Sequence, residues 1–222
     1  MSDPVYCYPP DHTVLRNKLD IRSQDELDAF ERKAVQVRAE QGCPSGNFDL
    51  AHLQAIHGHL FQDIYDWAGE LRTVEISKGG SQFQPLQFIE TGMADVHRRL
   101  EEQNFLRDRT ADGFAEGAGQ IIGDVNYVHP FREGNGRTQL NYLQQLGHQA
   151  GHQVDLTRIE RDAWMSASIR AHQGDYQPMS ECIRGVVGYA QERDSFEDRA
   201  RKFEAEQDAK SQSQDIDQGY DR

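Results

Sequence analysis

Apolar positions recur every three or four residues over most of this chain, a spacing typical of amphipathic α-helices. The stretch from 110 to 128 has the most apolar face, and three glycines within it indicate close packing against a neighbouring element. The pattern predicts helices over Asp25–Glu40, Asp49–Trp67, Glu90–Glu102, Thr110–Val128, Asn135–Ala150, Glu160–Ala171 and Met179–Tyr189.

Residues 73–83 break this helical pattern. Their sequence, TVEISKGGSQF, alternates briefly and then passes through Lys78, Gly79 and Gly80, which is a signal for a β-hairpin. One hairpin among about seven or eight helices predicts an all-α domain, a helical bundle with a small β-hairpin flap at about 73–83.

The end of the chain differs in composition from the rest. Residues 191–222 contain ten acidic and six basic residues and few large apolar ones, so we expect a charged, partly disordered tail. The chain has 222 residues, which predicts one domain, residues 1–190, followed by this tail.

Charge and hydropathy exclude two classes of function. The formal net charge is −13, which argues against a general nucleic-acid binder because such proteins need clustered basic residues. No run of 18 or more apolar residues occurs, so we expect no membrane span.

The cysteines point to a reducing compartment. Cys7, Cys43 and Cys182 are odd in number and far apart, which favours unpaired thiols and a cytoplasmic location. The histidines at 52, 57 and 59 lack a convincing further ligand, so we interpret them as packing or surface residues rather than a metal site.

The chemistry concentrates in residues 129–137, which read His-Pro-Phe-Arg-Glu-Gly-Asn-Gly-Arg between two apolar helices. His129 is a potential base, and Glu133 is a carboxylate on a short loop. Gly134 and Gly136 open the next helix, whose free N–H groups form an anion site, and Arg137 suits phosphate oxygens. Together these residues indicate phosphoryl or nucleotidyl transfer.

This segment resembles the signature of the Fic (filamentation induced by cAMP) family, H-x-F-x-[D/E]-G-N-G-R-x-x-R. The upstream stretch LFQDIYDWAGELRTVEISKGG and the N-terminal YPPDHTVLRNKLDIRSQDEL agree in order, so the resemblance covers roughly residues 6–190. It implies a Fic-like helical bundle that carries out protein AMPylation: a target hydroxyl attacks the α-phosphorus of ATP, AMP is transferred, and pyrophosphate leaves.

The resemblance also implies roles for individual residues. His129 would be the general base, and Glu133 would hold Mg²⁺. Gly134, Asn135 and Gly136 would cradle the phosphates, with Arg137 on the phosphate chain. The hairpin would clamp a target protein by strand addition. Lys78 and Gly79 at its tip are candidates for nucleotide contact, an ordinary exposed turn lysine being the alternative for Lys78.

The chain departs from the family signature at its last position, where Leu140 replaces a second arginine. The resemblance then implies a weaker grip on the γ-phosphate, or a grip supplied by Arg132 or another residue. The family's inhibitory motif, [S/T]-x-x-x-E-[G/N], does not occur in the sequence. This favours a bacterial toxin-like protein with a separate small antitoxin, while delivery into a host cell stays open.

Two alternatives remain from the sequence. The first is transfer of another nucleotide monophosphate, or of phosphate itself, on the same scaffold. The intact Gly134-Asn135-Gly136 favours AMP, because Fic relatives that phosphorylate have lysine at the second glycine. The second is a catalytically weakened module that binds a partner through its flap. The missing second arginine supports it, and the retained His129 and Glu133 argue against it.

Overall fold

The structure is a computed structural model that describes residues 3–78 and 81–187. Within these residues the elements are α1 (Gln24–Glu40), α2 (Leu50–Phe61), β1 (Ser77–Lys78), β2 (Ser81–Gln82), α3 (Ile89–Glu102), α4 (Ala111–Val128), α5 (Asn135–Gln149), α6 (Arg161–His172) and a last helix, α7, over 177–187. The predicted all-α fold with a small hairpin is confirmed. Gly79 and the tail at 191–222 lie outside the described residues, and the domain boundary at 190 stays a prediction.

Helix α4 is the centre of the fold. It packs against α3, α5 and α6, and the side chains of its apolar face are fully buried. The glycines within it permit these contacts, as predicted. A Cβ on Gly119 would come within 2.2 Å of Ser180 Oγ, and one on Gly123 within 2.8 Å of the Tyr176 ring. Close approach by α7 and the loop before it therefore requires these glycines.

The predicted end of the second helix, at Trp67, is wrong, because α2 ends at Phe61. The chain turns sharply there: the Ile64 N–H donates to the Phe61 carbonyl (2.9 Å), and the Ile64 carbonyl accepts from the Lys18 N–H (2.8 Å). Ile64 and Tyr65 remain buried, so the apolar spacing continues past the point where the helical hydrogen bonds stop.

The hairpin is shorter than the predicted 73–83. Among the residues that the structure describes, Ser77 pairs with Gln82 and Lys78 pairs with Ser81 as strands. At the base of the hairpin, the Val74 carbonyl accepts from the Arg72 guanidinium (3.0 Å). A side chain thus satisfies a backbone acceptor next to the two strands.

The cysteines are unpaired, as expected: Cys7 is buried, and Cys43 and Cys182 are half-buried. Burial raises the pKa of each thiol, that of Cys43 to about 11, so none is activated as a nucleophile. Among the described helices, none is both long and apolar enough to cross a membrane.

Candidate active site

The motif of residues 129–137 forms the connection between α4 and α5. His129 caps the C-terminus of α4 in the left-handed conformation (φ 48°, ψ 61°), and its N–H donates to the Val125 carbonyl (3.0 Å). Gly134 is the N-cap of α5, also left-handed (φ 82°). The two helix ends therefore place the imidazole and the first N–H groups of α5 on one short loop.

The His129 ring has a single tautomer. Its Nδ1 lies 3.1 Å from the Asn126 carbonyl oxygen, which can only accept, so Nδ1 carries the proton and Nε2 keeps its lone pair. The half-buried ring stacks face to face on Phe83 at a centroid distance of 3.7 Å. Burial lowers the pKa of His129 to about 4, and the positive charges of Arg72 and Lys78 add to the effect. His129 is therefore a neutral base at pH 7.

Arg72 fixes the backbone of His129. This buried guanidinium donates to the carbonyls of His129 (2.8 Å) and Val128 (3.4 Å) at the end of α4. It also donates to the carbonyls of Val74 (3.0 Å) and Gln84, at the two sides of the hairpin base. One side chain thus joins the hairpin to the histidine.

The start of α5 provides an anion site. The first intrahelical bond is donated by the Thr138 N–H to the Gly134 carbonyl (3.1 Å), so the N–H groups of residues 135–137 have no acceptor within the helix. A Cβ on Gly136 would meet nothing within 4 Å among the described residues, so the space beside it is open. This geometry suits phosphate oxygens.

Asn135 and Gly134 hold the loop in shape. The buried Asn135 side chain accepts from the Phe131 N–H (3.0 Å) and donates to the Phe131 carbonyl (2.7 Å). A Cβ on Gly134 would come within 2.3 Å of Cζ of Phe61. The Asn135 side chain is thus committed to the loop, and only its backbone N–H is available to a phosphate.

His57 holds the loop through a hydrogen bond and a ring stack. Its Nδ1 accepts from the Gly69 N–H (2.8 Å), so its Nε2 carries the proton and donates to the Glu133 carbonyl (3.0 Å). The ring is fully buried and stacks on Phe131 at 4.0 Å. Burial lowers the pKa of His57 to about 4, so the ring stays neutral. Of the two roles predicted for this histidine, packing or surface, the structure shows packing, and the ring also holds the backbone of Glu133.

The two charged motif side chains have different surroundings. Glu133 is half exposed, and its carboxylate accepts from the Gly134 N–H (2.9 Å). Arg137 pairs with Glu31 of α1 (2.6 Å), lies 3.4 Å from Glu133 Oε1, and has its guanidinium 4.8 Å from the centre of the Phe61 ring. Arg137 is therefore held by groups on three segments of the chain.

The remaining sequence candidates lie around this centre. Arg132, the alternative source of a phosphate grip, pairs instead with Asp3 (2.5 Å). Lys78 is exposed on the hairpin and close enough to His129 to lower its pKa. Leu140 is half-buried and packs against the core. The roles of these residues toward a nucleotide stay predictions.

Four residues of the site escaped the sequence reasoning: Glu31, His57, Arg72 and Phe83. Each acts across a long separation; His57 reaches Glu133 over 76 positions. The helical spacing placed His57 on the buried stripe of α2, which was a usable signal for burial but not for its partner. For Glu31, the one sign was a charged residue on the buried face of α1, beside Leu27 and Val35.

The carboxylate of Glu133 is half exposed and open to a metal ion, whereas that of Glu31 is buried and paired. No group of three or more His, Cys, Asp or Glu side chains within 3–78 and 81–187 forms a metal centre. Glu133 alone still fits Mg²⁺, because this ion is commonly bound by one or two carboxylates together with substrate phosphates and water.

Comparison with known proteins gives one consistent result. The model of the Fic/DOC family matches residues 47–146. A probable protein adenylyltransferase of Sinorhizobium fredii is 39% identical over 84% of this chain and 97% of its own length. The probable protein adenylyltransferase Fic of Escherichia coli is 35% identical over 86% of this chain and 94% of its own. The crystal structure of the BepC effector of Bartonella tribocorum with bound AMPPNP has a TM-score of 0.76 at 28% identity, covering 82% and 95% of the two chains.

Proposed function

Because the chain belongs to the Fic/DOC family, we propose that it is a protein adenylyltransferase that transfers AMP from ATP to a hydroxyl side chain of a target protein. One observation carries this proposal: the neutral His129 presents a free Nε2 on the same short loop as the open N-terminus of α5. A base and an anion site in that arrangement are the two requirements for attack of a hydroxyl on a phosphate.

The reaction has a simple balance. The target hydroxyl oxygen forms a bond to the α-phosphorus of ATP while its proton passes to His129 Nε2. The bond from the α-phosphorus to the bridging oxygen breaks, and pyrophosphate leaves. The N–H groups of residues 135–137 stabilise the phosphate charge, and Arg137, in the first turn of the same helix, adds a positive charge.

Different observations support the proposals of ATP as the co-substrate and Mg²⁺ as the metal ion. ATP is supported by the relatives named protein adenylyltransferases and by the similar structure that holds an ATP analogue. For Mg²⁺ we propose Glu133 as the protein ligand, since its carboxylate is half exposed beside the anion site. Bound there, Mg²⁺ would neutralise charge on the phosphate chain.

The partners follow from the hairpin and from the sequence. We propose that a target segment pairs with the hairpin as an added strand, which would bring its hydroxyl to His129. Without an inhibitory motif in the sequence, a separate small antitoxin would restrain the enzyme. The three unpaired cysteines support action in a reducing cytoplasm.

The test uses ATP labelled in either the α- or the γ-phosphate, incubated with the protein and a bacterial lysate. We expect protein labelling from α-labelled ATP alone, its loss in His129→Ala, and its retention in His148→Ala, which removes an exposed histidine of α5. Labelling from γ-labelled ATP would indicate phosphate transfer. No labelling from any nucleotide would leave the partner-binding module as the better function.

A further inference from the structure

Helix α1 delivers a carboxylate to the active site. Glu31 lies at its middle, on the face that buries Leu27 and Val35, and its side chain is only 11% exposed. A carboxylate is rarely buried without partners, because loss of hydration must be offset by hydrogen bonds or an opposite charge. Both oxygens of Glu31 have such a partner: Oε1 pairs with Arg137 Nη1 (2.6 Å), and Oε2 accepts from the Tyr65 hydroxyl.

Tyr65 makes this carboxylate rigid. The ring is buried and stacks on Trp67 at 4.3 Å, so the position of its hydroxyl is fixed by packing. Burial and the charge of Glu31 raise the pKa of Tyr65, which keeps its hydroxyl protonated as a donor. Glu31 is therefore held from one side by Tyr65 while it holds Arg137 on the other.

Two carboxylates lie within ion-pair distance of Arg137. Glu133, four residues earlier, lies at 3.4 Å from Nη2, whereas Glu31 lies at 2.6 Å from Nη1. Without Glu31, the Arg137 guanidinium would move closer to Glu133, which it already contacts at 3.4 Å. The separation of four residues across the start of α5 brings these two side chains together. The resulting local pair would occupy both the cation and the carboxylate of the motif.

We propose that Glu31 is a positioning residue of the active site: it holds the Arg137 guanidinium over Phe61 and keeps its 3.4 Å contact with Glu133 from closing into a short ion pair, so that both motif charges stay available to the phosphate chain. The proposal rests on the proposed function for the identity of the ligand, ATP. It goes beyond the motif, since Glu31 lies more than ninety residues before the motif along the chain.

The direction of the change in ATP affinity distinguishes a positioning role of Glu31 from simple repulsion between its charge and the phosphates. Glu31→Gln removes a negative charge close to an anion site, which by electrostatics alone would tighten ATP binding. If Glu31 instead positions Arg137, the same change weakens binding. We expect the Kd for ATP to rise about tenfold in Glu31→Gln and to stay within about twofold in Glu26→Gln, which makes the same change at an exposed position of the same helix.

Two further variants keep the test independent of folding. Tyr65→Phe preserves the ring and removes the hydroxyl, so it should raise the Kd about threefold. In a double-mutant cycle, Glu31→Gln should add less than about twofold in an Arg137→Gln background, because its effect passes through that arginine. A general structural defect would add its full effect in both backgrounds, and thermal unfolding of each variant would reveal it.

Binding by isothermal titration calorimetry and transfer of α-labelled AMP are measured side by side. An unchanged or lower Kd in Glu31→Gln, or full additivity in the cycle, would overturn the proposal. Wild-type binding of ATP without AMP transfer would contradict the proposed function while the Kd values still decide the role of Glu31. No wild-type binding at all would contradict both.

Discussion

Replacing Arg72 by lysine tests whether one buried guanidinium joins the hairpin to His129, the proposed base. Arg72 donates to four backbone carbonyls, those of residues 74, 84, 128 and 129, and its side chain has no exposed surface. Lysine keeps the charge, but its ammonium is a single point and cannot reproduce the planar fork of donors. At least two of the four carbonyls should lose their donor.

The size of the effect follows from those lost bonds. A buried acceptor left without a donor costs about 1–3 kcal/mol, so two of them predict a loss of about 3 kcal/mol. At roughly 2–4 °C per kcal/mol for a chain of this size, the melting temperature should fall by about 6–12 °C. The His129 carbonyl loses its partner as well, so kcat for AMP transfer should fall more than KM for ATP rises.

Urea denaturation and steady-state AMP transfer measure the two effects. Arg98→Lys is the matched control, because Arg98 is about half exposed and forms surface ion pairs, which contribute little to stability. If Arg72→Lys were no more destabilising than Arg98→Lys, or if it changed KM alone, the reasoning that links Arg72 to His129 would be wrong.

Three further predictions concern the loop and its histidines. Because burial lowers the pKa of His129 to about 4 and the base acts when neutral, AMP transfer should show no titration near pH 6.5, and a midpoint there in the pH–rate profile would contradict the geometry. Gly134→Ala places a Cβ 2.3 Å from the Phe61 ring at a position of positive φ, so it should lower the melting temperature by several degrees. Gly136→Ala has open space around its Cβ, so it should leave the melting temperature unchanged and weaken ATP binding, measured by calorimetry. His57→Phe keeps the ring stack but strands two buried backbone groups, so it should cost about 2–4 kcal/mol at pH 7, against about 1 kcal/mol for His59→Phe, which loses one half-buried bond. Since the folded pKa of His57 lies below its unfolded value, wild-type stability is complete above about pH 6.5 and falls as the pH drops towards 4; denaturation curves should show a smaller fall for His57→Phe.

The sequence predicts most of the helices because their limits are set locally. Thr110 caps α4 through a hydrogen bond from the Gly113 N–H (3.2 Å), and α5 begins at Asn135, as its motif indicates. The end of α2 has no such local signal. The turn after Phe61 depends on a backbone bond from Lys18, more than forty residues earlier in the chain, which no apolar spacing can indicate.

The residues of the site also divide into those with a local sequence signal and those that depend on distant parts of the chain. His129, Glu133 and Arg137 were identified because they belong to one contiguous motif, and the structure places them on one loop. Glu31 and Arg72 come from separate segments, and single charged residues in a helix and a loop usually face solvent. Their importance depends on burial, which only the assembled fold decides.

The connection made by Arg72 also bears on which acceptors the enzyme can use. Since one side chain holds the base of the hairpin and the carbonyl of His129, Arg72 restricts changes in the separation between the hairpin base and the histidine. For a target strand paired with this hairpin, the length of the acceptor side chain must then match that separation. The hairpin and Arg72 together would then discriminate between acceptors by side-chain length, separating the short serine and threonine from the longer tyrosine.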